Sequence, residues 1–178
     1  MINSALITER LLLRPWAEAD TVPFTKMNSD PEVMKYFPKT LTADETIAIL
    51  QRIRQHFVTN GFGLFVVANK LTDAFLGFTG FSIPKFDTFF TPCVEIGWRF
   101  KKEAWGQGFA TEAAAACMKY GFEQLQFDKI VSFTAAINLP SQKVMQRIGM
   151  VYVCDFEHPN LPADSNLCKH VLYSLENN

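Results

Sequence analysis

Two glycines stand two residues apart in the stretch WGQGFATEA, Trp105 to Ala113, just before sequence that reads as a helix. Glycine at such a place makes a tight turn and lets another group approach the backbone closely. With a strand before it and a helix after it, the loop aims free main-chain N–H groups and the positive end of a helix dipole at one spot. The chemistry that suits this is binding of an anion such as a pyrophosphate. A Walker-type phosphate loop needs Gly-Lys-Ser/Thr after its second glycine, and GQGFATEA has none. A dinucleotide fold needs a third glycine where Thr111 stands, and Asp128, at a tempting separation, precedes a strand instead of ending one. A glycine turn serving packing alone is the plain alternative.

The other reactive residue types form no motif. Cys93, Cys117, Cys154 and Cys168 are widely spaced with no CxxC pair, which fits reduced thiols in a cytoplasm. His56, His158 and His170 show no HExxH or other ligand spacing, so no metal is expected. His158, alone in a loop, reads as a surface group. No GxSxG nucleophile motif occurs. A net charge of −1 gives no overall pull toward nucleic acid, and no apolar run reaches the roughly 20 residues of a membrane helix. The N-terminal stretch interrupts its apolar residues with Glu9 and Arg10 and reads as no export signal.

The elements that must position the loop follow from periodicity. The 178 residues suit one domain, 1–178, with 48% hydrophobic content and 20% charged. Leu6 to Arg14 reads as a first strand. SDPEVMKYFP reads as a short helix from Pro31 to the stop at Pro38, and Thr42 with Glu45 opens a longer one that Asn60-Gly61 ends. Strands are expected from Gly63, from Ala74 and from Cys93, as an antiparallel meander. After the glycine loop come a helix from Thr111 to Leu125, a strand from Lys129 to Thr134, a helix from Pro140 to Ile148, and strands from Val151 and His170.

Three segments, RLLLRPWAEAD with MNSDPEVMKYFP, EIGWRFKKEAWGQGFATEA, and NLPSQKVMQRIGM, together resemble the GNAT-fold N-acetyltransferases. The likeness is to the branch that acetylates ribosomal-protein N-termini, and it covers nearly the whole chain. It implies an α+β fold with an open mixed sheet of about seven strands flanked by helices, and acetyl-CoA as the acetyl donor. Gly106, Gln107, Gly108, Phe109, Ala110 and Thr111 would cradle the cofactor's pyrophosphate through backbone groups. Ile96, Gly97 and Trp98 would lie along its pantetheine arm. Trp105 stands where the family's loop usually begins with Gln or Arg. Asn138 and Ser141 would sit beside the thiol, with Ser141 donating to the departing thiolate, although Asn-Leu-Pro-Ser is equally a turn and helix cap.

Acetyl transfer to an amine needs a neutral nucleophile, stabilisation of developing negative charge on oxygen, and a proton for the leaving thiolate. Strand alternation puts Glu95, Gly97 and Arg99 on one face and Val94, Ile96 and Trp98 on the other. Glu95 is the candidate for taking the amine's proton, against the reading of an ordinary strand charge. Trp16, Tyr36, Phe37, Phe81 and Trp98 are candidates for an acceptor pocket, and core positions otherwise. Lys143 and Arg147, four residues apart, reach toward CoA phosphates or form a solvated face. The expected partner is an amine acceptor, a protein or peptide N-terminus or a small-molecule amine, with a monomer or small homo-oligomer. The competing class is a non-catalytic acetyl-CoA sensor.

Overall fold

A computed structural model of the chain describes residues 5–177, so Met1–Ser4, on which the reading of no export signal partly rests, lie outside the described residues. Its strands are β1 (Leu6–Ile7), β2 (Leu11–Arg14), β3 (Leu64–Asn69), β4 (Phe75–Ser82), β5 (Glu95–Phe100), β6 (Lys129–Ala135), β7 (Val151–Glu157) and β8 (Lys169–Glu176). They form one sheet of eight strands in the order β1-β2-β3-β4-β5-β6-β8-β7, one more than expected. The extra strand comes from the leucine-rich start. Thr8 bonds back to the Leu11 carbonyl at 3.0 Å, so the run turns at Thr8–Arg10 and pairs with itself, Leu6 opposite Leu13.

The expected meander β3 to β5 is antiparallel, and β2 joins it antiparallel beside β3. Four helices, α1 (Thr21–Ser29), α2 (Ala43–Asn60), α3 (Phe109–Glu123) and α4 (Leu139–Arg147), accompany the sheet. The short helix expected over Pro31–Pro38 does not form. Asp30 leaves α1 with extended backbone (φ −78°, ψ 117°) and its Oδ1 accepts the Glu32 N–H at 2.8 Å. That side-chain turn competes with helix, and the residues to Phe37 form successive turns instead. At α2 the expected capping box is present, Thr42 accepting from the Glu45 N–H and Glu45 from the Thr42 N–H, and Gly61 closes the helix in the left-handed region.

Alternation along β3 and β4 feeds two cores. Phe65, Val67 and Phe81 pack with Ile96, Ile130 and the small face Ala113, Ala114 and Cys117 of α3. Val66, Phe75 and Phe78 pack with Phe24 and Met27 of α1 and Leu50 and Ile53 of α2. The sheet is therefore a partition with α3 on one side and the α1–α2 pair on the other. Gly121 permits the closest helix approach, since a Cβ there would lie 2.7 Å from the Phe81 ring.

Candidate active site

The site begins where one ladder stops. β5 and β6 run parallel and share a single register pair, Glu95 with Val131. The Val131 N–H donates to the Val94 carbonyl at 2.9 Å, and the next bond is made by a side chain, the Ser132 hydroxyl donating to the Ile96 carbonyl at 2.9 Å. Beyond it no residues of the two strands pair. The two-residue repeat of a strand turns the main-chain groups of Trp98 toward the same gap. The parting strands, the turns before α2, the start of α4 and the β7–β8 connection enclose a cleft of about 820 Å³. That volume lies within the range of small-molecule sites.

Glu95 lies on the wall where the strands part, half-buried, and accepts from the Ser82 hydroxyl at 3.2 Å. Burial pushes its carboxyl up to about 7, and the Ser82 bond opposes part of that rise. Gly97 follows on the same face: a Cβ there would meet only Glu95 Oε1, at 3.9 Å, so the wall above it is open. Ile96 and Phe100 turn into the α3 core, with Trp98 packed against it, as the alternation predicts.

At the start of α3 the loop is held by the turn between β1 and β2. Arg10 donates to the Gln107 carbonyl at 2.9 Å and pairs with Glu112 at 2.7 Å, while Thr8 also donates to Glu112. Gly106 (φ +74°) and Gly108 (φ +80°) adopt the left-handed region, where a side chain is strained. A Cβ on Gly106 would meet nothing within 4 Å, so this backbone is bare toward its surroundings. Gly108 is the N-cap of α3, with no side-chain cap bond. The first N–H groups of a helix lack intrahelical partners, and among the described residues no other group accepts from those of residues 106–111. The Phe109 side chain is buried in the core beneath the Arg10 guanidinium, leaving its N–H as the group that faces the loop. Of the loop, Trp105 and Ala110 line the cleft, whereas Gly106, Gln107, Gly108, Phe109 and Thr111 lie outside its lining. Trp105 is anchored by its indole N–H donating to the Phe100 carbonyl at 2.9 Å.

Across the gap, Asn138 caps α4. Its Oδ1 accepts the Ser141 N–H at 3.3 Å, and its amide donates to the Thr134 hydroxyl at 2.9 Å. Both Asn138 and Ser141 line the cleft, so the cap and the site coincide. Lys143 and Arg147 are exposed and lie outside the lining. Of the candidate aromatics, Tyr36, Phe37 and Trp98 line the cleft. Trp16 packs among Phe24, Phe75 and Phe78, and Phe81 is fully buried.

The histidine read as a surface group is the clearest correction. His158 lines the cleft, half-buried, 4.8 Å from the His170 ring and 4.8 Å from Phe86, and burial lowers its pKa. Its strand-end position brings it beside β8, a pairing that no local spacing signals. Ser82 and Arg99 were also without an assigned role, although alternation alone puts Arg99 beside Gly97. Among the described residues no cluster of three His, Cys, Asp or Glu side chains is placed to hold a metal ion. Burial raises the Cys93 thiol to about 11 and the Cys117 thiol to about 12, so neither is a ready thiolate at neutral pH.

A cleft between parting parallel strands, with a glycine loop capping the adjacent helix, defines a fold class that comparison with known proteins identifies. The model of the acetyltransferase (GNAT) domain matches residues 10–151, and the chain belongs to that family. It is similar to the N-acetyltransferase YnaD of Bacillus subtilis (strain 168), 31% identical over 149 residues, 82% of this chain and 81% of that one. A GNAT-family acetyltransferase structure from Bacillus anthracis matches with a TM-score of 0.80 at 27% identity, covering 98% of this chain and 99% of the other. The ribosomal-protein-S5-alanine acetyltransferase of Vibrio fischeri shares the fold, with a TM-score of 0.79 at 19% identity over 99% of this chain and 98% of its own. The protein is thus an acetyltransferase that uses acetyl-CoA. The bare backbone and free N–H groups at Gly106–Thr111 fit that donor's pyrophosphate, and the gap between β5 and β6 fits its extended arm.

Proposed function

We propose that this chain, as one catalytic domain over residues 1–178, acetylates a primary amine, with a protein or peptide N-terminus as the favoured acceptor. The observation that carries the reading is Glu95, a carboxyl held near neutrality on the cleft wall where the strands part. The V. fischeri enzyme of the same fold acts on a ribosomal protein, which supports the choice of acceptor class. Four free cysteines with no disulfide among them support a cytoplasmic setting.

Acetyl-CoA supplies the activated acyl group when bound. Its pyrophosphate would be held by the main chain of Gly106, Gln107, Gly108, Phe109 and Ala110, with Thr111 next in the helix, and its arm by Ile96, Gly97 and Trp98. An alkylammonium has no lone pair, so Glu95 Oε1 or Oε2 takes its proton directly or through one water. The neutral amine would then attack the thioester carbonyl, forming the C–N bond as C–S breaks. The Ser141 hydroxyl would give its proton to the leaving sulfur as it takes the proton the nitrogen still has to lose, and Asn138 fixes the helix turn that carries Ser141. Excluding water and holding the amine in line supply the rest of the acceleration.

Thiol release over a panel of amine acceptors, including N-terminal peptides, aminoglycosides and polyamines, tests this. Acceptor-dependent release of CoA, with product acetylated at the α-amine of a peptide, is the expected result. A protein that binds acetyl-CoA and releases nothing with any amine is a sensor, and the proposal fails.

A further inference from the structure

Arg99 occupies the acceptor side of the cleft in an incomplete environment. It lies two residues beyond Gly97 on the Glu95 face, opposite Phe78 of β4. Its Nη1 donates to Asn28 Oδ1 at 2.6 Å, and Asn28 is itself fully buried in α1. Phe37 lies over the guanidinium at 4.1 Å and Phe78 at 5.5 Å. These rings interact with the faces of the cation. Beyond the Nη1 bond the in-plane edge is unanswered: Nε is out of contact with solvent and has no partner. Among the described residues no carboxylate lies within ion-pairing distance of Arg99. Burial pushes its pKa down to about 10, so it is still cationic at neutral pH.

A half-buried cation without a counter-ion is unfavourable unless something supplies the missing charge. An arginine guanidinium suits a carboxylate, and with Nη1 held by Asn28 and Nε shut off from solvent, Nη2 is the group left to receive it. Glu95 is not that counter-ion: it bonds to Ser82, at the opposite end of β5. The two residues are four positions apart on one face, so their Cα atoms are about 13 Å apart along the strand. The open surface over Gly97 lies between them.

We propose that the acceptor carries a carboxylate, received by Arg99 while its amine faces Glu95. The proposal rests on the N-acetyltransferase reading of the cleft. It narrows the acceptor class to peptides with an acidic side chain at the second or third position. Strand side chains stand roughly perpendicular to the sheet, so groups received at the two ends are separated by no more than about 13 Å, less whatever the side chains lean toward each other. A side chain two or three residues into an extended peptide meets that separation. Asn28 is a positioning residue, holding the guanidinium plane while the two phenylalanines hold its faces.

The test uses C-terminally amidated peptides in matched pairs, Asp against Asn and Glu against Gln at positions two and three. Binding to the CoA-saturated protein is followed by calorimetry, and turnover by thiol release. The acid member of at least one pair should bind about 10- to 100-fold tighter than its amide, the range expected of a charge-assisted hydrogen bond. Arg99→Gln should erase that preference while leaving acetyl-CoA affinity near wild type. Arg99→Lys, which keeps charge but not the guanidinium, should retain part of it. Equal binding of acids and amides by the wild-type protein overturns the proposal without reference to any variant. So does an acid preference that survives Arg99→Gln. Acid-selective binding without CoA release leaves the carboxylate site standing and removes the transferase reading, whereas release with acids and amides alike does the reverse.

Discussion

At the residue scale, two side chains separate chemistry from scaffolding. Glu95 has a folded-state pKa of about 7 against an ordinary 4.5, so the folded chain retains a proton there that the unfolded chain has lost. Ionising it therefore lowers stability as pH rises from about 4.5 to 7, and the loss is complete above about 7. Glu95→Gln should raise stability by about 1–3 kcal/mol at pH 8 and by almost nothing at pH 4, measured by denaturant titration at both values. The same substitution should lower the acetylation rate most near neutral pH. Its deficit should shrink at high pH, where the acceptor arrives already neutral. Parallel pH–rate profiles with equal rates would make Glu95 an ordinary strand charge. Ser141 contributes its backbone N–H, not its hydroxyl, to the α4 cap. Ser141→Ala should accordingly leave the melting temperature unchanged and reduce kcat on the order of 100-fold at unchanged acetyl-CoA affinity. A change confined to melting would return Ser141 to a structural role.

At the element scale, the start of α3 is a binding device because its neighbours hold it open. Arg10 and Glu112 clamp the loop from the β1–β2 turn, and the buried Phe109 anchors the first helical residue. Gly108→Val places a branched side chain at φ +80°, 3.5 Å from the Arg10 guanidinium at its first carbon. Acetyl-CoA affinity should fall much more than folding stability, and calorimetry on the folded variant measures it. Unchanged affinity would remove the phosphate assignment. The helix boundary was displaced by two residues in the reading from sequence, which began it at Thr111 instead of Phe109. Phe109 looked like a loop aromatic because its burial depends on Arg10 and the first hairpin, about a hundred positions earlier. The missing helix before Pro38 has the opposite cause. Asp30 caps no helix there, because it spends its side chain on a local turn.

At the scale of the whole molecule, the cleft depends on strands from both halves of the chain. Ligand binding to such a site is linked to global stability. At acetyl-CoA about 100-fold above its dissociation constant the folded state gains about 2.7 kcal/mol, which for a chain of this size raises the melting temperature by about 5–10 °C. Wild type should show this shift in a thermal scan, and Gly108→Val should lose most of it at the same concentration. A wild-type protein whose melting temperature ignores acetyl-CoA would contradict the site's placement.

Local patterning by itself determined the strand meander, the capping box at Thr42, the glycine loop ahead of α3, the Asn138 cap of α4 and the division of β5 into a Glu95 face and an Ile96 face. Each of these depends on residues within a few positions of one another, where periodicity, φ preference and capping act. The family likeness of the glycine loop and its flanks supplied acetyl-CoA. Only the tertiary structure decided that β5 and β6 part after Glu95, that Asn28 and Phe37 enclose Arg99, and that His158 stands beside His170 in the cleft. Burial, and with it the raised pKa of Glu95 and the unanswered charge of Arg99, is a property of what packs on a side chain from distant segments. No spacing along the chain encodes it.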